Sequence, residues 1–200
     1  MRSKSLAILF LLSFCLICSH AIAQESELNE LSLEEISRRL ENPLSDLWSL
    51  TFQENLYFNT GEAVEGTELS NVMFFQPFLP FPAGREKLLI FRPVFPLVTQ
   101  PVLDNENSSK TGFGDMQLIT AFGPDRKNGT IWGLGATFKV PTATDDLLGQ
   151  GKFQAGPMAL LLYMGKPWTL GLVVQHWTSI AGDNERPDTN QTDIQYVARR

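Results

Sequence analysis

Residues 48–59 read WSLTFQENLYFN, and apolar and polar side chains alternate along this stretch. Trp48, Leu50 and Phe52 share one parity, polar side chains take the other, and Glu54 alone interrupts the apolar series. Successive side chains of a β-strand point to opposite faces, so the alternation predicts a strand with one apolar and one polar side.

The same alternation returns along the rest of the chain. Clear copies begin at Trp132 and Trp168, and a further one begins near Thr192. Weaker copies occupy residues 69–78, 87–97, 113–122 and 153–164. We therefore predict that residues 44–200 form an all-β, antiparallel up-and-down meander of about seven strands and the start of an eighth.

Strand length and aromatic placement indicate where this sheet lies. Most segments reach the roughly 9 to 11 residues that a tilted membrane-crossing strand needs, whereas globular strands usually have about 5 or 6. Aromatic side chains fall near the segment ends, as is typical of rings at headgroup level. They are Trp48, Phe58, Phe122, Trp132, Tyr163, Trp168 and Trp177. This pattern predicts a transmembrane β-barrel of a Gram-negative outer membrane.

The connections between strands support the same prediction. After the first two, long and short ones alternate: 98–112, 123–129, 141–152, 165–167 and 180–191. Outer-membrane barrels have short periplasmic turns and long external loops, which puts the N-terminus in the periplasm and the acidic loops outside. A secreted soluble β-protein, which has no need of this asymmetry, remains an alternative.

Residues 1–23 have the organisation of a secretory signal peptide. Met1 to Lys4 is basic, Leu6 to Cys18 is apolar, and an A-x-A site ends at Ala23. The apolar run is too short for a helix that spans a membrane. Cys15 and Cys18, the only cysteines, lie inside this leader. We expect a mature chain without disulfides or cysteine chemistry.

Residues 24–43 predict a short amphipathic helix. Leu28, Leu31, Ile36 and Leu40 recur near helical spacing, and Pro43 ends the pattern. We interpret the segment as a periplasmic surface helix at the rim of the barrel, with a partner-binding or plugging element as the alternative.

Two features of the predicted strands need explanation. Prolines within strands must occupy bulges or strand ends, because proline cannot donate a ladder hydrogen bond. They are Pro77, Pro93, Pro96 and Pro157. The inward face of residues 69–76 stays unassigned, because Asn71 and Gln76 fall on opposite parities.

The barrel is expected to be incomplete at its C-terminus. Bacterial single-chain barrels close with an even number of strands, and here the eighth begins near Thr192 and reaches Arg200.

Residues 42–191 resemble a bacterial family of outer-membrane transporters, the phenol meta-pathway outer-membrane protein family, some of whose members carry the name neuromedin U. The matching stretches are NPL (42–44), SLTFQEN (49–55), QPFLPF (76–81), RPVFPLVTQP (92–101), TGFGD (111–115), FKVPTA (138–143), KFQAGP (152–157) and GDNERPDTNQ (182–191). The resemblance implies a barrel of more than eight strands and passage across the membrane, without naming a solute.

Side chains of the polar parity are the candidate lumen residues. A charge on the lipid face near the midplane costs about 2 to 4 kcal/mol, so inward is favoured. The predicted pore-lining residues are Gln53, Asn55, Arg92, Asp115, Gln117, Lys139 and Gln175. Arg92, Asp115 and Lys139 are predicted to form a charge network, which either selects solutes or only holds the wall in shape.

Other function classes find little support. The net charge of −6 disfavours nucleic acid as a partner. His176 and Ser179, considered for lipid hydrolysis, are three residues apart and would face opposite sides of a strand. The acidic run at residues 182–188 lacks the EF-hand pattern. We expect no enzyme activity, no catalytic residues, no metal and no cofactor.

Taken together, these features predict an outer-membrane β-barrel, reached by secretion to the periplasm, for passive transport of small molecules, including aromatic or apolar ones. Its partners would be outer-membrane lipid and a small-molecule solute, and its oligomeric state stays open. The alternative is a structural or adhesive barrel whose external loops bind partners. Strand number separates the two, because about eight strands leave no open lumen and about twelve or more can.

Overall fold

The computed structural model describes residues 32–42, 44–60, 67–102, 108–126, 129–165 and 167–200. The predicted signal peptide and residues 24–31 of the predicted helical segment lie outside these ranges. The chain divides into two compact units, Met1–Pro43 and Leu44–Arg200.

The first unit contains one described helix, α1 (Leu33–Glu41). Ser32 caps its N-terminus, where the hydroxyl oxygen accepts a hydrogen bond from the backbone N–H of Glu35 at 3.2 Å. One turn later, Arg39 Nε lies 3.5 Å from Glu35 Oε1. Within the described ranges, helices of the length and apolarity needed to cross a membrane are absent.

The second unit is almost entirely antiparallel β-structure, which confirms this part of the predicted fold class. Its strands are β1 (Ser49–Thr60), β2 (Thr67–Pro82), β3 (Lys87–Pro101), β4 (Ser109–Phe113), β5 (Met116–Pro124), β6 (Gly129–Val140), β7 (Lys152–Met164), β8 (Thr169–Gly182) and β9 (Asn190–Arg199). Each strand pairs with the next along the chain, except that β4 and β5 both pair with β3. These two therefore form one strand interrupted at Gly114 and Asp115.

The sheet is curled and open. Gln117 on β5 donates a hydrogen bond to Gln175 on β8 at 3.4 Å, although two strands separate them. Neighbouring strands lie about 4.8 Å apart, so strong curvature brings these side chains together. The curl gives the sheet a concave face, which carries the buried side chains, and a convex face. Within the described chain, β1 and β9 form its two edges.

One proline of β2 and one of β3 share an interruption of the ladder between these strands. These strands pair at Phe75↔Phe95 and again at Leu79↔Phe91, and Pro77 and Pro93 both lie between these points. Because proline lacks an N–H, placing two prolines in the same gap confines the lost hydrogen bonds to one place. Pro96 lies where β3 changes its partner from β5 to β4.

Pro157 lies in a second interruption. Strands β7 and β8 pair at Ala155↔Thr178 and again at Met158↔Gln175, with a register shift nearby at Phe153/Gln154. The four prolines predicted to occupy bulges or strand ends thus lie at or beside ladder irregularities.

The two ends of the sheet carry different connections. At one end the links are short, covering residues 83–86, 125–128 and 165–168. At the other end they are longer, covering residues 61–66, 102–108, 141–151 and 183–189. The segment Leu44–Trp48 precedes β1 at the end with the short links.

Aromatic side chains are prominent on the convex face. Phe58 is 72% exposed, Trp132 42% and Trp168 46%. Trp177 is different, because it is only 4% exposed and shares the concave parity of Gln175. Its predicted position at headgroup level is therefore wrong, since the strand alternation turns it inward.

Candidate pore-lining site

The concave face has an apolar zone toward the end with the short connections. Its core consists of Leu44, Leu88, Ile90, Ala121, Ile131, Met158, Leu160, Leu162 and Met164. Leu44 is completely buried and fits over two glycines of neighbouring strands. A Cβ at Gly133 would lie 3.2 Å from Leu44 Cδ1, and one at Gly123 would lie 2.5 Å from it. The missing side chains make room for Leu44.

A polar belt crosses the concave face beside this zone. Its first half begins on β1, where Gln53 Nε2 donates to Asn55 Oδ1 at 3.0 Å. Gln76 on β2 donates to Gln53 Oε1 at 3.3 Å, and Arg92 on β3 donates to Gln76 Oε1. Gln76 and Arg92 both lie in the ladder interruption that contains Pro77 and Pro93.

The second half of the belt spans β5 to β8. Gln117 Nε2 donates to Thr137 Oγ1 at 3.1 Å and to Gln175 Oε1 at 3.4 Å. Trp177 Nε1 donates to the same Thr137 hydroxyl at 2.9 Å. Lys139 Nζ lies 4.4 Å from the centroid of the Trp177 ring, a cation–π contact. Buried polar groups here are paired with one another, which stabilises the curl.

The structure places all seven predicted lumen residues on the concave side, but it does not join the three charged ones directly. Arg92 contacts Gln76, and Lys139 contacts Trp177. Asp115 accepts backbone hydrogen bonds from residues 143 and 150. Among the ion pairs of the described chain, none links Arg92, Asp115 and Lys139 to one another. The predicted charge network is therefore not formed by direct ion pairs.

Four buried side chains of the concave face with polar atoms were missed by sequence reasoning. They are Gln76, Thr137, Gln154 and Trp177. Trp177 has the same parity as Gln175, and this signal could have placed it inside. Gln154 is completely buried and its Oε1 accepts no hydrogen bond within the described chain. It pairs across the ladder with Lys139, whose inward parity was already predicted.

His176 and Ser179 lie on opposite faces. His176 Nδ1 is 2.9 Å from Thr192 Oγ1 on the convex face. Ser179 Oγ accepts a hydrogen bond from the backbone N–H of Thr189 at 2.8 Å. The two side chains therefore do not form a base and nucleophile pair in this arrangement.

Comparison of the chain with protein-family profiles, with curated proteins and with solved structures finds no match.

Proposed function

We propose that the chain forms part of the wall of an outer-membrane β-barrel that lets small molecules cross by diffusion. The observation that carries the proposal is the contrast between the two faces of the sheet. Large apolar side chains are exposed along the convex face, while the concave face carries the polar belt. In water such a surface favours aggregation, whereas in lipid it is the favoured arrangement.

The exposed apolar side chains recur on every second residue of several strands. Phe52 is 67% exposed, Leu134 59% and Leu170 47%. Strands of 12 to 16 residues such as β1, β2 and β3 exceed what a globular core needs. The alternation of short and long connections supports an orientation with the short ones in the periplasm. On this proposal α1 lies in the periplasm too.

The two open edges of the sheet, β1 and β9, indicate how many strands the proposed barrel needs. Backbone groups that face lipid must be hydrogen-bonded, so the proposal requires further strands to join β9 to β1. Eight strand positions already make an open curl, and a complete wall would therefore contain more than eight. A wall of that size can surround a lumen.

The polar belt and the apolar zone suggest how a solute would pass. Amide and hydroxyl groups of the belt offer hydrogen bonds, and the apolar zone accommodates aromatic or aliphatic parts of a small molecule. Arg92 and Lys139 add two positive charges on the concave face. We propose that they line the pore and favour anions over cations.

Membrane location is tested first. The chain, expressed with its own leader in a Gram-negative host, should be recovered in the outer membrane and migrate faster on a gel before heating than after. Recovery as a soluble periplasmic protein would contradict the proposal and favour the soluble β-protein.

Transport is tested in planar bilayers with the purified protein. Arg92→Glu and Lys139→Glu should each shift the reversal potential in a salt gradient toward cation selectivity, because each replaces a positive charge by a negative one. Glu185→Gln, which removes an exposed loop charge, is the matched control and should leave the selectivity unchanged. Unchanged selectivity in both variants would contradict the proposal that Arg92 and Lys139 line the pore.

One observation favours the alternative of a structural or adhesive barrel. Leu44 and Ile131 are completely buried within the apolar zone, as expected of an interior that is packed shut. This alternative predicts an outer-membrane protein without measurable conductance. It also predicts that replacing Leu44 by Ala leaves the conductance at zero.

A further inference from the structure

The connection between β6 and β7, residues 141–151, folds back over the concave face. The backbone N–H of Thr144 donates to the carbonyl oxygen of Phe113 at 2.9 Å. Thr142 Oγ1 accepts a hydrogen bond from the backbone N–H of Met116 at 2.8 Å. Further along, Gln100 on β3 donates from its side chain to the carbonyl oxygen of Leu147. The loop therefore reaches from β6 across β5 and β4 to β3.

The tip of this loop packs against two glycines, Gly112 in β4 and Gly114 just after it. Leu148 is buried, and a Cβ at Gly112 would lie only 2.8 Å from Leu148 Cδ1. A Cβ at Gly114 would lie 3.0 Å from the carbonyl oxygen of Leu148. The wall is thus shaped to accept the loop, and a side chain at either glycine would press against it.

Asp115 fastens the loop near both of its ends. Its Oδ1 accepts a hydrogen bond from the backbone N–H of Ala143 at 3.1 Å, and its Oδ2 accepts one from that of Gln150 at 2.6 Å. Hydrogen bonds to a carboxylate are stronger than those between neutral groups. One side chain in the wall, at the break between β4 and β5, therefore determines where the loop enters and leaves.

The neighbouring loop supports it from the other side. Arg186 donates to the carbonyl oxygen of Gly149 at 2.6 Å and to that of Asp146 at 2.7 Å. Lys110 on β4 forms an ion pair with Asp145 at 2.5 Å. These contacts join the loop to two further elements of the same end of the sheet.

We propose that residues 141–151 are a fixed constriction loop at the mouth of the barrel, and that Asp115 is the positioning residue that sets the size limit for solutes. The inference rests on the proposed transport function, because only a conducting barrel has a size limit. A loop held at both ends and buried at its tip narrows the opening without moving during passage.

The position of the loop can be tested without any transport measurement. An ideal Cβ at Gly112 lies 3.6 Å from the Cβ of Thr144, within the range of about 3.5 to 4.5 Å found in disulfides. The variant Gly112→Cys/Thr144→Cys should therefore form a disulfide in the folded protein, because the atoms that the new Cβ crowds are the replaced Thr144 hydroxyl and the flexible end of the Leu148 side chain. Adding Asp115→Ala should lower the yield several-fold, and adding Glu185→Gln should leave it unchanged.

The size limit is measured by swelling of proteoliposomes in sugars of increasing size. Asp115→Ala should raise the entry of the larger sugars several-fold while changing entry of the smallest ones little. Driving the cysteine pair fully to the disulfide with excess oxidant in the Asp115→Ala background should restore the original limit, and reduction should remove it again. This rescue separates positioning of the loop from a general loss of structure.

The outcomes are distinguishable. If the original protein admits no sugar at all, the proposed transport fails, and the disulfide yield still decides whether Asp115 positions the loop. An unchanged yield in Asp115→Ala, or a displaced loop with an unchanged size limit, would overturn the inference. Heat-modifiable migration checks folding, and Asp115→Asn, which keeps one acceptor oxygen, replaces Asp115→Ala if the latter does not fold.

Discussion

Within the described part of the chain, Leu44 is among the largest side chains that are fully buried, although it lies outside the strands β1 to β9. It fills the space above Gly123 and Gly133 and packs within the apolar zone of the concave face. A leucine in such a position contributes both its transfer from water and the contacts that fill the cavity.

Replacing Leu44 by Ala should therefore lower the free energy of unfolding by about 2 to 5 kcal/mol. The measurement is urea-induced unfolding of the protein in lipid vesicles, followed by tryptophan fluorescence. Leu147→Ala is the matched control, because that leucine is 49% exposed in the loop and leaves little cavity. Equal losses in the two variants would show that Leu44 does not fill a packed site.

Glu54 and Asn71 are two polar residues on the largely apolar convex face. They lie on diagonal positions of β1 and β2, and the Asn71 amide donates to the Glu54 carboxylate. Glu54 is in the middle of β1, where a membrane strand would meet the hydrocarbon. A polar group there is tolerated when it has a partner and costs free energy when it has none.

A double-mutant cycle tests this pair. Asn71→Leu alone should destabilise the protein in vesicles by about 1 to 3 kcal/mol, because it leaves the carboxylate without its donor. Glu54→Leu/Asn71→Leu should recover that loss, since the face becomes uniformly apolar. The control is Asn59→Leu, which removes a 2.6 Å hydrogen bond to Ser70 on the concave side. Additive effects at Glu54 and Asn71 would argue against a pair in lipid.

At the scale of elements, the strands follow from sequence because a period of two is a local property. The alternation at residues 48–59 and 132–140 gives both the strand and the inward parity of Gln53 and Lys139. β2 could not be assigned, because Asn71 and Gln76 fall on opposite faces and each has its partner on another strand. Partners on other strands cannot be read from local spacing.

For a related reason, the sequence did not predict the tertiary contacts of two segments. These are the loop between β6 and β7 and the segment before β1. Sequence spacing indicates a polar loop at residues 141–151, but its inward fold depends on Asp115, Gly112 and Arg186, which lie on three other segments. Leu44 likewise acquires its role only through glycines on β5 and β6. Such tertiary contacts carry no periodic signal.

The contact between β4 and this loop has a defined pH dependence. Lys110, which donates a hydrogen bond to Asp145, holds the pKa of that carboxyl below its usual value, and the backbone N–H of Leu147 adds to the effect. A carboxyl with a lowered pKa stabilises the folded state above the unfolded pKa of about 3.9, and the contribution is lost as pH falls through the folded pKa. Asp145 lies in a loop, outside the proposed membrane-spanning strands.

We therefore expect the pKa of the Asp145 carboxyl, followed by NMR in detergent micelles, to lie below its usual range. Lys110→Met should raise the pKa toward its usual value, because the largest cause of the shift is removed. Exposed ion pairs contribute little, so the variant should otherwise fold normally. A titration that is the same in both proteins would show that Lys110 does not contact Asp145 in solution.

At the scale of the whole molecule, the two faces of one curled sheet have opposite chemistry. The convex face exposes aromatic and aliphatic side chains along its length, and the concave face holds the polar belt above a packed apolar zone. The four tryptophans lie on both faces of the sheet, so their fluorescence can report which face contacts lipid. Lipid contact should therefore depend on the face on which a tryptophan lies.

Variants that keep a single tryptophan, with Phe at the other three positions, test this arrangement in vesicles of brominated lipid. Bromine quenches indole fluorescence only at close contact, so Trp132 and Trp168 should be strongly quenched. Trp177 should be quenched little, because it is 4% exposed and hydrogen-bonded to Thr137 on the concave face. Equal quenching of Trp132 and Trp177 would mean that the convex face does not meet lipid, and the proposed barrel would be lost with it.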